Sequence, residues 1–187
     1  MIDTPPAWVP FLQPAVTTVG VFLVVVGWRI TLRLQRQKIA IEFLQRMTDQ
    51  EVWITHERLV SRRMLADRQE NRVVGETWLN IAQKRYEPKK YPPELSSEEV
   101  KLSEALYFIL SGWEFIGSAL HNRAVDPDIL YDHLSARLVG QYTDLYPMIE
   151  YIRSYFDDQA MYEHFESVAK EWEVRSRLED DMRRGYF

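Results

Sequence analysis

The chain contains no cysteine. That excludes disulfides and thiolate metal sites, and it agrees with a reducing compartment. Glycine and proline are scarce, at seven and nine of 187 residues, and seven of the prolines fall near the start or in one loop (Pro5, Pro6, Pro10, Pro14, Pro88, Pro92, Pro93). This is the punctuation of a helical protein. No alternating strand pattern persists, and no repeat is visible. Catalytic signatures are missing too. The residues three before His56, His121, His133 and His164 are Trp53, Ser118, Leu130 and Met161, which excludes the Glu-x-x-His pairs of a di-iron bundle. His56-Glu57 is followed by Arg58 and Leu59, not by the second histidine of a zinc-protease helix. No phosphate loop, dinucleotide fingerprint or nucleophile elbow occurs. No cofactor or metal is expected, and an enzyme is not the expected class.

Charge is also absent from Thr4 through Trp28. Within that stretch, Phe11 to Trp28 is an 18-residue apolar core, and Trp8 and Trp28 stand 20 positions apart. On a helix that separation is about 30 Å, the thickness of a bilayer's hydrocarbon core. Tryptophan favours the two membrane–water interfaces. A transmembrane helix over 11–29, after a short external tail 1–10, is therefore expected. A cleaved signal peptide would need a basic start and a small-residue cleavage site, and neither is present. A buried soluble helix is the other alternative. Arg29, Arg33, Arg36 and Lys38 follow the run, whereas Asp3 is the only charged side chain before it. The positive-inside rule then places the N-terminus outside and residues 30–187 in the cytoplasm. Trp8, Trp28, Arg29, Arg33 and Arg36 are the expected membrane-interface residues. Thr17, Gly20, Val24, Gly27 and Thr31 recur at steps of 3, 4, 3 and 4 and form a stripe that a second transmembrane helix could pack against.

The remaining charge is uneven. Residues 29–72 carry ten Lys/Arg against six Asp/Glu, whereas residues 73–187 carry thirteen against twenty-one. The basic portion lies next to the apolar run, which points to anionic lipid headgroups. Acidic residues interleave throughout, so nucleic acid is not an expected partner.

Apolar spacing predicts an all-α protein: the spanning helix followed by a cytoplasmic helical bundle. The spanning helix continues through Ile30, Leu34, Ile41, Leu44 and Met47, and Thr48-Asp49 marks a break. Helices follow near 50–69 and 74–86, so residues 30–86 form basic juxtamembrane helices. Residues 87–97 are a Pro-rich loop, with Ser96 or Ser97 as the next cap and Glu98 and Glu99 in the first turn. The core is expected over 98–175. Its central helix, near 98–122, carries Leu102, Leu106, Ile109, Trp113, Ile116 and Leu120, widened by Ala105, Phe108, Phe115 and Ala119. Asp126-Pro127 starts the next helix, which Pro147 should kink or break. Asp157-Asp158 is expected to open the last helix, and residues 176–187 to form a fraying charged tail.

One polar constellation stands out on the central helix. Tyr107, Ser111, Glu114, Ser118 and His121 share a stripe. Either this is the helix's solvated face, or Glu114 faces the next helix and pairs with Arg137 or Arg153, since a carboxylate beside Trp113 and Phe115 needs a partner. Tyr107, Glu114, His121, Arg137 and Arg153 are therefore the candidate polar cluster, and a ligand site built on it is the third reading.

The run from Ala105 to Leu134, followed by Leu145 to Arg153, resembles a bacterial family of small single-pass membrane proteins with a helical domain of unknown function. Glu114 in mid-helix, Asp126 after the small-residue turn, and Arg153 near the end of the aromatic-rich helix carry the likeness, over about residues 29–172. The resemblance implies a bacterial inner-membrane location and a fold, not an activity. The function expected from all of this is a non-catalytic, membrane-anchored accessory subunit that docks on a larger membrane complex. The alternative is a membrane-tethered regulator or sensor that binds a small ligand or soluble partner through its helical domain. The expected partners are the bilayer and other membrane subunits, and a homo-oligomer is compatible with the stripe.

Overall fold

In the computed structural model the described residues are 9–49, 51–70 and 72–184, with side chains described from residue 21 onward except at 46–49. Among them the chain is all-α. Six helices and no strand are present: α1 (Val9–Asp49), α2 (Glu51–Gln69), α3 (Val74–Tyr86), α4 (Ser97–His121), α5 (Pro127–Phe156) and α6 (Glu163–Arg184).

α4 and α5 form the centre. The apolar stripe of α4 is buried as its spacing predicts, with Leu102, Leu106, Ile109, Trp113 and Ile116 all inside. Each such side chain contributes roughly 1.5–3 kcal/mol by leaving water. α5 buries Leu130, Leu134, Leu138, Leu145, Ile149 and Ile152. α2 packs on α4, α3 on α5, and α6 on both, while α1 touches α2 and α5. Trp113 sits where these layers meet. Its ring is edge-on to Trp53 of α2 and stacked on Phe165 of α6, and its Nε1 donates to Gln141 Oε1 of α5 at 2.6 Å. Phe115 was expected to widen the buried stripe but is 64% exposed; its ring instead stacks on Phe43 of α1.

The helix starts follow local chemistry. Ser96 accepts from the Glu99 N–H and Glu99 returns a bond to the Ser96 N–H, a reciprocal capping box. Asp126 caps α5 by accepting from the Asp128 N–H, with Pro127 at the first position.

Three expectations are corrected. Pro147 does not break α5, which runs through it to Phe156. The lost hydrogen bond costs about 3 kcal/mol, but the flanking Leu145, Met148, Ile149 and Ile152 are fully buried, and the proline ring fits against Gly75 of α3, where a Cβ would come within 2.8 Å of Pro147 Cγ. Asp157 does not open the last helix. It takes the left-handed conformation (φ 52°) and caps α5 through its N–H to the Arg153 carbonyl, so α6 starts only at Glu163. The charged stretch 176–184 is helical rather than frayed. It is held by Arg175, which bonds Asp128 of α5 and Glu179 of its own helix and lies 3.8 Å from the Tyr131 ring centroid.

Among the described residues no helix is long and apolar enough to cross a membrane. Trp8 lies outside them, and the side chains of residues 11–20, the first half of the expected span, are not described.

Candidate functional site

The residues singled out by sequence separate into two places. The first is the junction of α4 and α6. Tyr162 and Met161, immediately before α6, offer no carboxamide, carboxylate or small hydroxyl to cap it. A helix start leaves backbone N–H groups without internal partners. Glu114, in the middle of α4, supplies the missing acceptor from 50 residues away. Its Oε2 accepts from the Phe165 N–H at 2.9 Å and its Oε1 lies 3.4 Å from the His164 nitrogen. The same Oε1 is 2.8 Å from His164 Nδ1. A carboxylate only accepts, so Nδ1 carries the proton there. This corrects the expected pairing of Glu114 with Arg137 or Arg153.

One turn along α4, Gly117 lets the helices touch. A Cβ at that position would lie 2.5 Å from the His164 carbonyl carbon. One turn further, His121 meets His164 edge-on at 5.0 Å between ring centroids. The carboxylate negative charge and the partly positive start of α6 favour each other.

Arg153 pins the other side of the same turn. It is 5% exposed, its Nε donates to the Met161 carbonyl at 2.9 Å, and its Nη1 bonds Glu166 at 2.6 Å and Glu150 at 3.1 Å. Tyr162 precedes α6 in this turn; burial, then Tyr86 and Glu114, push its hydroxyl up to about 12. Arg137 belongs elsewhere: it ties α5 to Glu57 of α2. Tyr107 is also apart, packed edge-on to Tyr86 with Arg85 4.7 Å from its ring centroid. Burial pushes its hydroxyl above the ordinary tyrosine range. Tyr107 and Arg137 thus do not join Glu114, whereas His121 and Arg153 lie around the same helix start. His164 is the residue that sequence reasoning missed. The signal available was the absence of a capping side chain before α6.

Glu114→Ala is expected to cost about 1–2 kcal/mol, the size of a lost helix cap, and to speed amide exchange at His164 and Phe165. Glu114→Gln, which keeps an acceptor oxygen, should recover about half. Hydrogen exchange with denaturant unfolding measures both.

The second place is the end of the bundle where α1 leaves it. Arg29, Arg33 and Arg36 lie at steps of four and three, so they share one face. With Leu32 they form one wall of a groove of about 440 Å³, whose other wall is Asp126-Pro127-Asp128 at the start of α5. On the other side of Pro127 lies a second groove, about 360 Å³, lined by His121, Arg123, His164, Glu171 and Trp172 among others. Beyond the basic face α1 is uncovered: Phe22 is 66%, Leu23 62%, Val24 71% and Trp28 66% exposed. Of the small-residue stripe, Thr17 and Gly20 have side chains outside the described residues. Val24 and Gly27 face open space, nothing lies within 4 Å of a Cβ placed on Gly27, and Thr31 Oγ1 donates to the Gly27 carbonyl at 2.9 Å.

Among the described residues no group of three His, Cys, Asp or Glu side chains could hold a metal ion. No curated protein and no solved structure matches the chain. A family match does extend over residues 14–172, from within the uncharged run of α1 to Trp172 in α6, and so includes both places just described. The chain belongs to the family described as domain of unknown function DUF4760.

Proposed function

We propose that this protein is a non-catalytic accessory subunit, anchored in a bacterial inner membrane by the first half of α1 and docked beside a larger membrane complex. The observation that carries this reading is the bare apolar surface of α1. Val21, Phe22, Leu23, Val24, Val25 and Trp28 are 42–71% exposed on consecutive turns, and the sequence has no charge back to Thr4. Water-soluble monomers rarely leave a contiguous apolar patch of more than a few hundred Å² uncovered. Lipid, or another transmembrane helix along the Val24–Gly27–Thr31 stripe, is the cover that fits. The exposed arginines at 29, 33 and 36 follow at once, so the N-terminus lies outside and the bundle in the cytoplasm.

The bundle supports an interaction role over a catalytic one. Its polar cluster is engaged internally: Glu114 caps α6, and Arg153 ties the 157–162 turn to Glu166. The regulator reading finds support only in the groove beside His121 and His164.

The test is the native mass of the protein extracted from its own membranes in mild detergent. The accessory-subunit reading expects a large assembly with defined partners, and a lone monomer sinks it. Gly27→Leu sharpens the test. Nothing lies near Gly27, and leucine is the better helix former by about 0.8 kcal/mol, so folding should be unharmed. The native mass of the assembly should nevertheless fall, because a bulky side chain holds neighbouring helices apart.

A further inference from the structure

We propose that the groove between α1 and the start of α5 binds the headgroup of one anionic phospholipid, its phosphate held by Arg29, Arg33 and Arg36. The proposal deepens the membrane-anchor reading and rests on it. Three observations carry it. First, these guanidinium groups are exposed, share one helix face and have no ion-pair partner among the described residues. Lys38 on the same helix, by contrast, is matched by Glu42, and Arg63, Arg68 and Lys84 of the bundle are matched by Asp67, Asp144 and Glu99. Three unmatched guanidiniums within about 10 Å of helix length suit the oxygens of one phosphodiester headgroup.

Second, each carboxylate on the facing wall has a partner within the bundle, although the Asp128 side chain is 69% exposed. Asp126 is 8% exposed and accepts from the Asp128 N–H, and Asp128 accepts from Arg175 at 2.8 Å. Of the charges lining the groove, the unpaired positive ones dominate. Third, the groove begins one residue after Trp28, where the uncharged run ends. Apolar side chains at Leu32 and, towards the N-terminus, at Val25, Phe22 and Val21 continue from it along α1. A free phosphate would use none of that surface, whereas acyl chains would lie along it. A headgroup held here touches both α1 and α5, and so sets the angle at which the bundle stands on the membrane.

The experiment uses the full chain. Flotation with neutral phosphatidylcholine vesicles, washed at alkaline pH, comes first. Absence of the protein from the floated fraction overturns the anchor reading and this proposal with it. Native mass spectrometry in mild detergent then compares phosphatidylglycerol with phosphatidylcholine as bound lipid. The expected result is one phosphatidylglycerol retained with a preference of roughly tenfold, a difference of about 1.4 kcal/mol. Arg29→Gln/Arg33→Gln/Arg36→Gln should lose that preference with its unfolding midpoint unchanged. Arg177→Gln, at an arginine paired with Glu173 on α6, should keep it. Equal retention of the two lipids, or an unchanged preference in the triple variant, overturns the headgroup site and leaves the anchor reading standing. Displacement of the lipid by millimolar inorganic phosphate overturns the lipid as the occupant.

Discussion

Gly117→Ala is expected to destabilise the bundle by about 2–3 kcal/mol, the range for overpacking a close contact. A helix interior normally gains about 1 kcal/mol when glycine becomes alanine, so the predicted sign is opposite to the local one. The reason is what the new methyl group would meet: the His164 carbonyl carbon at 2.5 Å, its oxygen at 2.6 Å and the Phe165 nitrogen at 2.8 Å. These are backbone atoms of α6, which cannot rotate away as a side chain can. α4 and α6 must separate, and separation stretches the Phe165 N–H to Glu114 bond and loosens Phe165 against Trp113. Gly140→Ala is the matched control. It also lies inside a helix, α5, but nothing lies within 4 Å of its added Cβ. Denaturant unfolding should show Gly140→Ala neutral or stabilised and Gly117→Ala weakened. A stabilised Gly117→Ala protein would mean that α6 is not held against α4 as described.

Arg153→Ala is expected to cost about 3 kcal/mol, near the lower end for breaking a buried ion pair from one side. The loss has two parts. The Met161 carbonyl loses its donor, so the 157–162 turn is no longer tied to α5. Glu166, 19% exposed, loses its 2.6 Å partner while keeping the exposed Lys170. Burial raises the Glu166 carboxyl, but Lys170 and Arg153 together outweigh burial and hold it below its ordinary 4.5. A carboxylate with a depressed folded value stabilises the protein above its unfolded value, and that contribution is lost as pH falls through the folded one. The native protein should therefore weaken below about pH 4.5, and Arg153→Ala should show a shallower decline in that range. Thermal unfolding between pH 3 and pH 7 measures both. Equal acid sensitivity in the two proteins would remove Glu166 from the account.

The contrast between Ser96 and Glu114 shows what could be read early. Ser96 with Glu99, and Asp126 with Pro127, are signals contained within three residues, and each became the helix start that its chemistry specifies. The start of α6 has no such signal. Asp157-Asp158 looks like one, but α5 runs on to Phe156, whose ring meets Tyr86 of α3 at 5.2 Å. Asp157 is instead the left-handed cap that ends α5, and a turn over 157–162 intervenes before α6. Pro147 taught the same lesson, since Gly75 from another helix makes room for its ring.

The amino-acid sequence by itself determined the all-α class, most helix bounds, the buried face of α4 and the uncharged run with its basic collar. These depend on spacing along one chain, and helical periodicity carries that information directly. Only the tertiary structure decided which partner Glu114 takes, why Gly117 is glycine, and that Arg29, Arg33 and Arg36 face the start of α5 across a groove. Those facts depend on residues 47 or more positions apart being brought together. Whether such residues meet is decided by how the helices pack against each other, which no single helix's pattern encodes.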